Sequence, residues 1–271
     1  QMPLDPRFSP DRVRADVSFF ADDLLGGRDT GSTGHEIASA YVAARFASLG
    51  LTPMGDGAGS GAGWMQRVTL QKTVRGEGAA GVSIIGPDGK AQTFAQGKDA
   101  LVALSALDAK TDVSAPLVFV GYGIDNALLG IDDYAGLDVK GKIVVMLSGF
   151  PAGLPGEEAA HASATKPEVA AAHGAVGILT VATNASLKVR PWERMLQYAG
   201  TPRIDWVETD GTVHLKTASI RGSASLNDTA AAALFAGSGK TLAKIRAEAD
   251  RAGFRPKGFA LKTTARITGA S

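Results

Sequence analysis

The 271 residues are 45% hydrophobic and 20% charged, a composition typical of globular proteins, and the net charge of +1 gives no field that would attract nucleic acid or an anionic membrane. The absence of cysteine excludes disulfides, thiolate metal sites and a cysteine nucleophile. The sequence has no run of about 18 apolar residues, so no membrane span is predicted.

Two helices are predicted before residue 60. Residues 9–11 (Ser-Pro-Asp) are a typical helix start, with a capping side chain, a proline in the first turn and an acid at the positive end of the dipole. A second helix is predicted from Thr33, with Glu36 completing a capping box, to a C-terminal cap at Gly50. The first helix carries an apolar stripe at helical spacing: Val13, Val17, Phe20 and Leu24.

Short strands follow a loop rich in glycine, serine and alanine at residues 55–63, which is the predicted domain boundary. The strand pattern predicts elements at 65–70, 82–85, 117–120 and 142–147. The last of these is continuously apolar, which predicts burial on both of its faces.

A βαβ unit is predicted from the strand at 142–147, a short helix from Pro167 to His173 and a strand at 176–181, and this unit requires a parallel pair of strands. Residues 212–219 return to the alternation of apolar and polar residues that is typical of a strand. The rest of the pattern predicts helices at 227–235 and 241–252 and a last strand at 261–267. Together these elements predict a mixed α/β fold, a β-rich domain with a βαβ unit preceded by two N-terminal helices.

Three segments occur in an order that resembles the protease-associated domain. The strand at 118–120 leads into Gly121-Tyr122-Gly123, then comes Asp132-Asp133-Tyr134, and Val139-Lys140-Gly141-Lys142 enters the next strand. The helix and strand at 166–179 are similar to the elements that follow in that domain. Near the start, residues 24–34 include Arg28-Asp29-Thr30-Gly31 and resemble the opening of the secreted zinc aminopeptidases, the family of the glutamate carboxypeptidase and transferrin-receptor ectodomains.

The resemblance extends from about Leu24 to Ile267 and implies three parts. Residues 1–60 would be a helical segment that packs on a peptidase domain outside this chain. Residues 61–262 would be the protease-associated domain, and residues 263–271 a linker toward the absent catalytic domain.

The resemblance also implies a function. This chain would be a non-catalytic accessory, or substrate-access, part of a zinc-dependent aminopeptidase that releases N-terminal residues from peptides. Its partners would be the catalytic domain in cis and the peptide substrate, without nucleic acid. Two zinc ions would belong to the absent domain and no cofactor to this chain, and the protein would be periplasmic or secreted.

The residues that carry such chemistry are not recognisable in the chain. In the family, the metal ligands come from a His-x-Asp element, an Asp, a Glu-Glu pair and a late His, but none of the four histidines here has Asp two residues on: His35, His161, His173 and His214. Glu157-Glu158 is interpreted as a mobile acidic loop and Asp132-Asp133 as a solvated loop that caps backbone groups. Residues 236–241 lack the first glycine of a phosphate loop, so Thr241 is interpreted as a helix cap. No catalytic residue and no metal ligand is therefore assigned.

One segment combines an aromatic with two cations. Arg190, Trp192 and Arg194 are candidates for a face turned toward the absent domain and its substrate, although a core Trp192 between solvated arginines is an equal interpretation. The stripe on the first helix would also lack its natural partner. We therefore expect the N-terminal helices to pack back on the chain, to be mobile, or to form a homodimer.

Two other functions are compatible with the sequence. The first is a stand-alone peptide- or protein-binding module with no associated enzyme. The second is a distinct hydrolase with an unrecognised carboxylate site, which would require a buried Asp/Glu pair with shifted pKa values in a cleft.

Overall fold

The computed structural model describes residues 9–56 and 63–271. The chain divides into two compact units, Gln1–Val68 and Thr69–Ser271, which are described separately. The predicted mixed α/β class is confirmed, because helices and a large mixed sheet both occur. Within the described ranges, no helix combines the length and hydrophobicity needed to cross a bilayer.

The first unit is a pair of helices joined through a short 3-10 turn at Asp23–Leu25. Helix α1 spans Pro10–Phe20 and α2 spans Thr33–Ser48. Phe19 stacks on Tyr41 with ring centroids 4.2 Å apart, and the Tyr41 hydroxyl donates a hydrogen bond to Asp16. In the predicted stripe, Val13 and Val17 are 57% and 60% exposed, so what covers them stays a prediction. The loop predicted at 55–63 lies largely outside the described residues.

The cap of α2 is one residue earlier than predicted. Ser32, not Thr33, is the capping residue, and its hydroxyl accepts a hydrogen bond from the backbone N–H of His35. Glu36 therefore lies one position beyond the place that a capping box requires, although it still meets the positive end of the helix. The predicted end is confirmed, since Gly50 has a φ of +72° just after the helix.

This cap can be tested by substitution. Ser32→Ala should destabilise the first turn of α2 by about 1 kcal/mol, because one backbone N–H loses its acceptor. Amide hydrogen exchange of residues 33–36 should become about fivefold faster. Thr33→Ala is the matched control and should leave that exchange nearly unchanged; the opposite ranking would restore Thr33 as the cap.

The second unit contains twelve strands. In chain order they are β1 (Leu70–Thr73), β2 (Gly81–Ile85), β3 (Ala91–Ala95), β4 (Ala100–Val102), β5 (Lys110–Phe119), β6 (Asp125–Asn126), β7 (Ile131–Asp132), β8 (Ile143–Leu147), β9 (Gly177–Val181), β10 (Arg203–Trp206), β11 (Gly222–Leu226) and β12 (Phe259–Ala270). The helices are α3 (Gly156–Ala164), α4 (Lys166–Ala172), α5 (Asn184–Val189), α6 (Trp192–Leu196), α7 (Asp228–Leu234) and α8 (Leu242–Ala249). A further 3-10 turn spans Ala127–Leu129.

Eight of the strands form one sheet in the order β3-β2-β12-β5-β8-β9-β11-β4. The four neighbours β5, β8, β9 and β11 are parallel to one another, and the other pairings in this sheet are antiparallel. The remaining strands form two small ribbons, β1 with β10 and β6 with β7. The parallel pairing of β8 with β9, with α4 between them in the chain, confirms the predicted βαβ unit.

The core lies on both faces of the sheet. All five residues of β8 are buried, as its unbroken apolar sequence predicts. Ile143, Val145 and Leu147 belong to a large cluster that also contains residues of α7 and α8. Val144 and Met146 belong to a second cluster, which includes Ala170 of α4.

Three predictions about elements are wrong. Residues 263–270 are not a linker, because they form most of β12, which hydrogen-bonds to β2 and β5 inside the sheet. The strand predicted at 65–70 begins only at Leu70. The alternating apolar and polar residues at 212–219 do not form a strand and contribute one isolated β-bridge, between Val213 and Val207. The strand in this part of the chain is β11, which begins at Gly222.

The acidic segment at Glu157-Glu158 is also not a loop. It lies in the first turn of α3, where its charges favour the positive end of the helix. The helix forms because its alanines have high helix propensity and two of them, Ala159 and Ala162, are buried.

Candidate functional site

A mainly apolar cavity lies where the parallel strands end. It has a volume of about 550 Å³ and is lined by residues at or just after the carboxyl ends of β8, β9 and β11, together with α5, Arg190, and Met195 of α6. In open α/β sheets this edge is where ligands bind, because loops there can approach a bound group from several strands. The lining residues are Ser148, Gly149, Phe150, Thr180, Ala182, Thr183, Ala185, Ser186, Val189, Arg190, Met195, Ser225 and Leu226.

Two hydroxyl groups lie side by side in this cavity. Thr180 of β9 and Ser225 of β11 are partners in the parallel register, so their side chains share one face of the sheet. Within residues 9–56 and 63–271, neither hydroxyl has a protein hydrogen-bond partner. With Arg190, they are polar groups that the cavity offers to a ligand.

The serines at the end of β8 and in α5 use their hydrogen bonds internally. Ser148 Oγ donates to Ser186 Oγ at 2.6 Å, and Ser186 Oγ donates to the Thr183 carbonyl at 2.9 Å. Thr183 in turn caps α5 by accepting from the Ser186 N–H. Because the hydroxyls of Ser148, Thr183 and Ser186 already have hydrogen-bond partners, this wall offers a ligand few free polar groups, and the cavity is mainly apolar.

A second, more polar cavity adjoins the first. It has a volume of about 440 Å³ and is lined by Val189, Arg190, Arg194 and Tyr198. Val189 and Arg190 line both cavities, so the two lie next to each other. We call the two together the α5–α6 pocket.

The structure separates the three residues predicted to face a substrate. Arg190 and Arg194 line the α5–α6 pocket, and both are exposed. Trp192 lines neither cavity, and its indole N–H donates to the Lys98 carbonyl at 2.9 Å. Trp192 is thus a partly buried anchor of the short helix α6.

Buried cations hold the loops around the pocket. Lys166 is only 5% exposed, and its ammonium donates to the carbonyls of Leu147 and Gly149 at 2.7 and 2.8 Å. Burial lowers the pKa of Lys166 to about 8. Arg246 donates to the Ala182 carbonyl at 2.8 Å and forms a two-pronged pair with Asp228. These contacts fix the ends of β8 and β9, on which the pocket is built.

Lys166 lines a different cavity of about 430 Å³. Thr180 lines both this cavity and the apolar one. The cavity is also lined by Arg203, but both terminal oxygens of Asp205 bind that guanidinium, at 2.7 and 2.8 Å. Arg221 and Asp108 also line this cavity, so its lining carries charges of both signs, whereas the α5–α6 pocket is lined by two arginines and no acid.

The histidines are distributed over separate places. His173 stacks on Tyr134 with ring centroids 4.2 Å apart, and its Nε2 lies 2.9 Å from a carboxylate oxygen of Asp125. His214 makes a similar pair with Glu208. In the part of the chain that the structure describes, no three His, Asp or Glu side chains converge in a way that could hold a metal ion.

The two acids at 132–133 differ in environment. Asp132 is exposed and accepts a hydrogen bond from the Tyr134 N–H, as predicted for a capping loop. The prediction of a solvated loop is wrong for Asp133, which is largely buried, binds the Ile124 N–H and pairs with Arg255. Desolvation raises the pKa of Asp133 despite these partners.

Sequence reasoning identified the rim of the pocket and missed its interior. Thr180 and Ser225 carry no local signal, because only the sheet register places them side by side. The signals that did exist were positional, since Ser148 follows an apolar strand and Thr183 precedes a helix. Thr241, in the segment that resembles a phosphate loop, caps α8 as predicted.

No protein-family model and no curated protein matches the chain. Among solved structures it is similar to an aminopeptidase from Aneurinibacillus sp. strain AM-1, with 18% identity and a TM-score of 0.41 over 94% of this chain and 44% of that one. It is also similar to a zinc aminopeptidase from Bacillus subtilis, with 17% identity and a TM-score of 0.27 over 65% of this chain and 33% of that one. The chain thus spans less than half of either protein, and neither similarity is strong enough to carry an argument about function.

Proposed function

We propose that this chain is the accessory, substrate-access part of a zinc-dependent aminopeptidase. The parent enzyme would release N-terminal residues from peptides outside the cytoplasm, and two zinc ions would be held by a catalytic domain joined in cis. This chain would contact the peptide without contributing a catalytic residue. The observation that carries the proposal is the α5–α6 pocket, an apolar cavity at the carboxyl ends of parallel strands with two arginines on its rim.

The residues that resemble the protease-associated domain have structural roles, which fits an accessory part. Gly121 and Gly123 both have positive φ values, +63° and +74°, in the turn after β5. The Asp133 carboxylate accepts from the Ile124 N–H and so closes the same turn. The motif therefore supports a tight bend beside the sheet.

The pocket fits contact with a peptide. Its apolar wall suits a side chain, its hydroxyls suit a peptide amide, and its arginines suit a carboxylate. An accessory domain with such a surface can hold part of a substrate while another domain cleaves it.

The proposal is tested with the purified 271-residue chain. After incubation with zinc it should hydrolyse no aminoacyl-nitroanilide faster than a chelator-treated sample, and elemental analysis should find well under one zinc per chain. Stoichiometric zinc together with chelator-sensitive hydrolysis would overturn it. A reading frame that continues past Ser271 into a domain with a His-x-Asp element would support the parent enzyme, whereas a stop codon there would favour the stand-alone binding module.

A further inference from the structure

We propose that the α5–α6 pocket binds a short peptide by its C-terminal end, with the terminal carboxylate at Arg190 and Arg194 and an apolar last side chain in the larger cavity. The proposal deepens the proposed function, on which it depends for the assumption that the ligand is a peptide. It names the substrate class as short peptides with a free C-terminus and an apolar final residue.

The charge of the rim favours a carboxylate. Arg190 and Arg194 line the same cavity, and the ion pairs of the described residues include neither guanidinium. Glu193 lies between them in the chain but does not line the cavity. Two planar guanidiniums can each donate a pair of parallel hydrogen bonds to a planar carboxylate, which makes this group their best match.

Tyr198 adds a third group on the same side. It lines the same cavity as the two arginines and is 63% exposed, so its hydroxyl can donate to an anion. Tyr198 lies in the turn just after α6, where its N–H donates to the Met195 carbonyl, and this turn brings it to the cavity that Arg194 lines.

The larger cavity favours an apolar side chain. Its wall is mainly apolar and includes Phe150, Val189 and Met195, and the hydroxyls of Ser148 and Ser186 are already bonded. Its volume of about 550 Å³ lies within the range of small-ligand sites and can hold a branched or aromatic group.

The adjacency of the two cavities favours the C-terminal end of a peptide. In a C-terminal residue the carboxylate and the side chain leave the same Cα, so both must bind within a few ångströms of each other. Val189 and Arg190 line both cavities, which places the cationic and apolar parts next to each other. An acidic side chain within a longer peptide would not place an apolar group at that position.

The test is calorimetric titration of the full chain with acetyl-Gly-Gly-Leu and its C-terminal amide. The free acid should bind at least tenfold more tightly than the amide, because only the acid forms charge-assisted hydrogen bonds. Acetyl-Gly-Gly-Gly should bind more weakly than the leucine peptide, since it leaves the apolar cavity unfilled.

Variants locate the binding on this surface. Arg190→Ala and Arg194→Ala should each weaken the leucine peptide about tenfold, and Arg190→Lys should weaken it less than Arg190→Ala. Lys188→Ala is the matched control, because Lys188 is an exposed cation of α5 that lines neither cavity, and it should change the affinity less than twofold. Ala185→Phe, at an exposed position of the apolar wall, should abolish the preference for leucine over glycine.

Three results would overturn the proposal. They are equal affinity for acid and amide, arginine variants that bind like the Lys188 control, and competition by inorganic phosphate that is as strong as competition by the peptide. Circular dichroism of each variant checks that the fold is retained. The zinc and hydrolysis assay of the chain does not depend on these titrations. The titrations test peptide binding and the assay tests the non-catalytic role, so a failure of one can be distinguished from a failure of the other.

Discussion

Gly121→Ala is expected to lower the free energy of unfolding by about 3 kcal/mol, through two effects that add. The residue has a φ of +63°, a conformation that costs an alanine roughly 1–2 kcal/mol. An added Cβ would also lie 2.5 Å from the carbonyl oxygen of Pro256, so the backbone must shift at a cost of about 1–3 kcal/mol. Urea unfolding followed by circular dichroism measures the change.

Gly136→Ala is the matched control for this experiment. Its φ of +72° is similar, but nothing lies within 4 Å of its would-be Cβ, so only the conformational cost of about 1–2 kcal/mol applies. Equal losses for the two variants would mean that Pro256 yields without cost and that the turn after β5 is less tightly packed than the structure indicates.

The stability of the wild-type chain should rise with pH above neutrality because of Lys166. Burial lowers the pKa of Lys166 from 10.5 to about 8 in the folded state. Between these values the unfolded chain holds a proton that the folded chain has lost, so the folded state gains stability as pH rises. From pH 7 to 9.5 the gain attributable to this group is about 2 kcal/mol.

Lys166→Met removes this dependence. The difference in free energy of unfolding between wild type and variant should increase by about 2 kcal/mol in favour of wild type across that range, as measured by urea unfolding at several pH values. Lys216→Met, at an exposed lysine, should not alter the slope. The range stops at pH 9.5 because the raised pKa of buried Tyr134 makes stability fall at higher pH. Parallel pH profiles for wild type and Lys166→Met would contradict the lowered pKa.

Elements with strong local signals could be predicted from the sequence. The apolar run of β8, the alanine-rich α7 and the capping threonine of α8 all lie where the pattern places them. In contrast, β11 has the sequence Gly-Ser-Ala-Ser-Leu, which lacks the residues typical of strands. It is a strand because it pairs with β9 and β4, and its Gly222 leaves room for Val113, which would lie 2.7 Å from an added Cβ.

In the candidate site, too, residues with a local signal could be predicted and residues placed by tertiary contacts could not. Arg190 and Arg194 attract notice in the sequence because two cations lie close together around an aromatic. The role of Trp192 could not be predicted, since its partner is the carbonyl of Lys98, 94 residues away. The cavity itself is formed by the ends of three strands that are separated by as many as 78 positions, from Ser148 to Leu226, and only the folded sheet brings them together.

The position of β12 has a consequence for synthesis on the ribosome. This strand is the last of the second unit in chain order, yet it lies between β2 and β5 and hydrogen-bonds to both. Until it leaves the exit tunnel, the hairpin of β2 with β3 and the parallel group that starts at β5 have no strand to join them. The nascent second unit therefore exposes two unpaired strand edges until β12 emerges, and its sheet cannot be completed before then.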